Sequence, residues 1–151
     1  MHNELLDIAA HLARLEEGKP RQTSLRRAIS SAYYALFHAL ASLCANELVG
    51  YSKPWGVYAP IYRTLDHGRA KDIFKRLSAG GGSDIAIIGQ AFILLQDSRH
   101  TADYDPSPFR IGRAETLDLI SQTEQAIARL DALSADQRLY LATQLIARTR
   151  S

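Results

Sequence analysis

The chain has 151 residues, 46% of them hydrophobic, and its 18 basic and 16 acidic side chains leave a formal net charge of only +2. Such a length is a single domain, residues 1–151, with enough chain for a sizeable core. The charge balance excludes a protein whose overall electrostatics announces a nucleic-acid partner, so only local clusters could do so. The one cysteine, Cys44, cannot form an intrachain disulfide, which favours a reducing, cytoplasmic home, and it reads as a small buried hydrophobe.

The amino terminus, MHNELLDIAAHLARLEEG, has acidic residues and a helical pattern where a signal peptide would have a basic head and an apolar run. Asn3 is placed to cap a first helix carrying Leu5, Ile8, Ala9, Leu12 and Leu15, which Glu17-Gly18-Lys19-Pro20 stops. Asp7 and His11 on that helix read as a surface pair. The organising stretch runs from Ser24 to Gly50. Leu25, Ile29, Tyr33, Leu36, Leu40, Leu43 and Leu48 form one apolar stripe, and Ala28, Ser31, Ala32, Ala35, Ala39 and Ser42 form a row of small residues that lets another helix approach. Thr23 and Ser24 are candidate caps at its start, and Gly50 is suited to the left-handed turn at its end.

Gly50-Tyr51-Ser52-Lys53-Pro54-Trp55-Gly56 reads as an ordered loop. From Pro60, residues Ile61, Leu65, Ile73, Phe74 and Leu77 predict one interrupted or two short helices with their joint at Asp66-His67-Gly68. Gly80 to Gly82 predict a flexible turn. Asp84 starts an apolar helix that continues into Arg99-His100-Thr101-Ala102-Asp103 and ends before Pro106, where Pro106-Ser107-Pro108 predicts an extended segment. The run Ile85 to Leu95, read as the most apolar stretch, is too short for a bilayer, so the chain reads as soluble and away from membranes. A helix from Gly112 to Leu133 and a last one opened by the capping box Ser134-Ala135-Asp136-Gln137, with Leu141, Leu145 and Ile146 toward the core, complete an all-α fold.

Phosphate loops, dinucleotide fingerprints, Glu-x-x-His pairs and His-Glu-x-x-His are absent from the sequence, and nothing in it calls for a metal or cofactor. The strongest local anomaly is Gln96 to Pro106, a dense polar cluster ending an apolar helix. On a continuous helix Arg99 and Asp103 share a face. They make either a helix-ending salt bridge with a tyrosine beside it or an anion site. In the second case Arg99 would neutralise a phosphate, Tyr104 would stack or hydrogen bond, and His100 or His38 would handle protons. Tyr33 belongs to the apolar stripe, and Tyr34, about 100 degrees round the helix, either packs in the core or turns its hydroxyl toward Arg99 or a dimer mate. Arg26, Arg27, Arg69, Lys71, Lys75 and Arg76 are a solvated face or, gathered near Arg99, a phosphate track.

Taken together, AISSAYYALFHAL at Ala28 to Leu40, RHTADYDP at Arg99 to Pro106 and, between them, Asp66 to Phe74 resemble the motifs of HEPN domains in type, order and separation. The resemblance covers roughly Leu25 to Leu130, leaving Tyr51 to Leu65 as an insertion and Ser134 onward as an addition. It implies a helical bundle of four to five core helices with an extra C-terminal helix, commonly a homodimer with the polar cluster near its cleft. It also implies a setting of toxin-antitoxin or defence type, with a nucleotidyltransferase-type protein partner and RNA or a nucleotide as ligand. Arg99, His100, Tyr104, Asp105 and Tyr34 are then the binding candidates. HEPN ribonucleases, which need no metal, place a histidine four to six residues after the arginine, and this chain has none there. A ribonuclease reading therefore has to use Arg99 with His38 or Asp103, and a non-catalytic helical adaptor is the remaining alternative.

Overall fold

The structure, a computed structural model, describes residues 1–79, 83–105 and 111–148. Among these residues there are seven helices and no strand: α1 (His2–Ala13), α2 (Gln22–Leu48), α3 (Trp55–Thr64), α4 (His67–Ser78), α5 (Asp84–Tyr104), α6 (Arg113–Ala132) and α7 (Ala135–Ile146). The protein is an all-α helical bundle. The turn predicted at Gly80 to Gly82 and the extended segment at Pro106 to Pro108 lie outside the described residues.

Helix α2 is the axis, packed against α1, α3, α5, α6 and α7. Its predicted stripe is buried from Leu25 to Leu43, and its small row at Ala28, Ala32, Ala35 and Ala39 is buried with it. This helix, rather than Ile85 to Leu95, is the most membrane-like segment, being long and apolar enough to cross a bilayer by length and composition. Yet 67% of its most apolar window is buried inside the bundle, so its apolar surface already has partners within the chain. Cys44 is enclosed there, and burial pushes its thiol up to about 12.

The helix ends depart from expectation in specific ways. Met1, not Asn3, is the N-cap of α1, and Arg21, not Thr23 or Ser24, is that of α2; neither makes a side-chain cap. Ser24 lies inside α2 and donates its hydroxyl to Glu16 Oε1 (2.7 Å), tying down the α1–α2 connection. Arg113 holds the same connection by donating to the carbonyls of Ala13 (2.9 Å), Glu16 (2.5 Å) and Gly18 (3.0 Å). Ile8, Leu15 and Leu48 are exposed despite their helical spacing. The predicted loop before Pro60 is in part helix: α3 starts at Trp55 and carries Pro60 inside it. The joint at Asp66 is as expected, since its carboxylate accepts from the Arg69 amide (2.8 Å) and starts α4. Gly50 adopts φ 107° after α2, and the Ser134 capping box opens α7.

Helices α4 and α5 meet where Gly89 has no side chain. A Cβ there would lie 2.6 Å from Ser78 Oγ and 2.8 Å from Cδ1 of the fully buried Phe74. Gly89→Ala gains about 1 kcal/mol of helix propensity, but overpacking of this kind costs more. The expected outcome is a net loss of about 1–2 kcal/mol, read as a lower urea midpoint at unchanged slope.

Candidate functional site

The carboxyl end of α5 is positioned by α2. Helix ends leave carbonyls without intrahelical partners, and Arg26 Nη1 donates to two here, those of Ala102 (3.1 Å) and Asp105 (3.0 Å). One turn further along α2, Ser30 donates its hydroxyl to Asp103 Oδ2 (3.3 Å). The two motif-bearing stretches therefore meet along antiparallel rods. Arg26 is part of this clamp rather than a member of a phosphate track.

Arg99 is 8% exposed and lies under three phenol rings, with its guanidinium carbon 5.0 Å from the Tyr33 centroid, 5.5 Å from Tyr34 and 5.6 Å from Tyr104. Its Nη1 reaches Asp103 Oδ2 at 3.5 Å and donates to the Tyr104 hydroxyl at 3.3 Å, both at the long end for such contacts. Its Nε is buried with no partner. Beside it opens a hollow of about 430 Å³ lined by Lys71, Gln96, Asp97, Arg99, His100 and Thr101. Lys71 Nζ pairs with Asp97 across this hollow (2.5 Å), and Gln96 Oε1 is a second buried polar atom without a partner. An amide can present either its oxygen or its nitrogen, so Gln96 can donate to an anion that Arg99 and Lys71 attract.

Of the sequence candidates, Arg99, Asp103, Tyr104, Tyr34 and His100 are brought together. His100 is exposed, lines the hollow and packs on Tyr104, with ring centroids 5.0 Å apart. Asp105 contributes its carbonyl to the Arg26 clamp. His38 turns to α3 instead of Arg99, its Nδ1 2.6 Å from the Tyr62 hydroxyl. Of the basic residues, Arg69 and Arg76 bond α7 through the Ala147 carbonyl and Gln144 Oε1, and only Lys71 lines the hollow. Among the described residues no group of three or more His, Cys, Asp or Glu side chains is placed to hold a metal ion.

The histidine that joins the cluster is one the sequence placed only at the joint between two short helices. His67, first residue of α4, stacks on Phe37 (centroids 4.0 Å, planes 16° apart) and meets the Tyr33 hydroxyl through Nδ1 at 2.5 Å. Its place beside Asp66, at the predicted joint, was the available signal. Burial, then the Arg99 charge, hold its imidazole below the ordinary value of 6.5, while burial pushes the Tyr33 phenol well above its own. The tyrosine therefore keeps its proton and donates it to a neutral Nδ1. Comparisons with protein-family models, curated proteins and solved structures return no match.

A histidine whose folded pKa is depressed binds its proton more readily when unfolded, so its contribution is complete above 6.5 and is lost as pH falls below that value. Stability is expected to fall between pH 7 and pH 5. His67→Gln should flatten part of that dependence in urea titrations, with His38, also lowered by burial, supplying the remainder.

Proposed function

We propose that the protein binds RNA or a nucleotide through a phosphate seated in the hollow beside Arg99. One observation carries this reading: Arg99, only 8% exposed, has a buried Nε without a partner, next to an opening that Lys71 also lines. A buried charged donor left unsatisfied is costly, and an anion that supplies the missing acceptor relieves that cost. Arg99 takes the phosphate through its planar fork, Lys71 adds a point charge once drawn from Asp97, and His100, packed against Tyr104, borders the opening as a ring surface. The proposal is binding without hydrolysis. His67, the histidine joined to the cluster, is held neutral and engaged with Tyr33, and His38 is engaged with Tyr62. The HEPN resemblance adds a homodimer and a nucleotidyltransferase-type protein partner, in a toxin-antitoxin or defence setting.

Anisotropy of a labelled RNA strand tests this. Binding is expected at 50 mM salt and should weaken steeply toward 200 mM. Lys71→Ala, at a partly exposed position, should lower affinity for every sequence and reduce the salt slope by about one unit. Arg99→Lys, which keeps the charge and loses the fork, should weaken binding by about tenfold. Absence of binding at low salt, or wild-type affinity in both variants with helicity intact, would refute the reading.

A further inference from the structure

Helix α3 carries a feature that the Arg99 site does not use. From Tyr51 to Leu65 the chain contains Tyr51, Trp55, Tyr58 and Tyr62 with Lys53 and Arg63, and no acidic residue. Spacings of three and four put Trp55, Tyr58 and Tyr62 on one helical face. Their rings form a partial stack: Trp55 to Tyr58 at 5.8 Å and 29°, Tyr58 to Tyr62 at 6.4 Å and 32°, Tyr62 to His38 at 5.8 Å and 30°. Two short hydrogen bonds fix the stack to α2. The Tyr58 hydroxyl donates to Asn46 Oδ1 (2.6 Å), and the Tyr62 hydroxyl meets His38 Nδ1 (2.6 Å). The inner end is thus immobilised.

The outer end is open, with Trp55 62% and Tyr51 83% exposed. Beside it a hollow of about 470 Å³ is bordered by Tyr51, Tyr58, Asn46, Asp131 and the Glu47–Arg138 ion pair, wide enough for a planar ring whose edge donors meet these acceptors rather than for a phosphate. The row also continues inward. His38 lies 6.4 Å from Tyr34, and Tyr34 is one of the rings over Arg99. A single line of aromatic groups therefore runs from Trp55 to the Arg99 cluster.

We infer that the α3 row is a base-stacking platform for single-stranded RNA, an inference that rests on the RNA reading of the Arg99 site. Unpaired bases extend the stack outward from Trp55, and Lys53 and Arg63 meet the phosphates between them. The occupant is a strand because two subsites at the ends of one ring row exceed the reach of a mononucleotide. It is unpaired because bases in a duplex already have both faces covered. An acid-free segment suits a polyanion, and the sequence-tolerant π faces of the bases suit a row of rings without a dense hydrogen-bonding edge.

Trp55 is the sole tryptophan, so its fluorescence reads this surface alone. The full-length protein is titrated with a single strand of about twelve nucleotides and with a hairpin duplex of the same length. The strand is expected to quench Trp55 emission and the duplex to leave it unchanged. Trp55→Leu, at an exposed position where folding is not at risk, should bind a labelled strand about tenfold more weakly, with Trp55→Phe in between. Binding that depends on Arg99 but neither quenches Trp55 nor weakens in Trp55→Leu overturns the platform and leaves the Arg99 site standing. No RNA binding by the wild type overturns both. Self-association that disappears in Trp55→Leu, with RNA affinity unchanged, assigns the surface to a second copy of the chain and also overturns the platform.

Discussion

Burial of the Arg99 charge is the constraint on which this bundle end depends. Removing a guanidinium from water costs several kcal/mol unless its surroundings compensate, and no one neighbour here is sufficient. Asp103 is at 3.5 Å, the Tyr104 hydroxyl is at 3.3 Å, and Nε has no acceptor. The rest falls to the faces of Tyr33, Tyr34 and Tyr104, each worth about 0.5–2 kcal/mol when desolvated. Two of these rings belong to α2 and one to the last turn of α5. The charge is tolerable only while those helices remain docked.

That docking explains the organisation around it. Arg26 closes the end of α5 on α2, Ser30 steadies Asp103, and the absence of a side chain at Gly89 lets α4 come close enough for Lys71 to overlook the same hollow. Tyr33 links the apolar core to the site. Its ring is fully buried among Phe92 and Phe37, while its hydroxyl reaches His67 at the start of α4. Three helices thus converge on one side chain.

Much of the fold was legible because a long amphipathic pattern survives small errors in its ends. The stripe from Leu25 to Leu43, the joint at Asp66 and the box at Ser134 are local signals that tertiary packing did not contradict. Helix starts were less legible: Asn3, Thr23 and Ser24 have suitable side chains, but the backbone turned into helix earlier, and Ser24 found Glu16 instead. Helix α3 was missed across Trp55 and Gly56 because proline at 54 and glycine at 56 read as breakers, although proline sits comfortably just outside a helix start. At the site, Tyr34 stood open between core packing, Arg99 and a dimer mate, and the meeting of Arg99 with Asp103 was readable from i,i+4 spacing. The partners of His38 and His67 were not, because they are set by how α3 and α4 lie across α2. Sequence separation carries no information on that.

The enclosure of Cys44 near the carboxyl end of α2 gives the chain an internal clock. A thiol that is fully buried and titrates near 12 presents almost no thiolate to solvent at neutral pH. An alkylating reagent can reach it only when the axial helix parts from its neighbours. Its labelling rate therefore measures how often the carboxyl end of α2 parts from the helices packed on it.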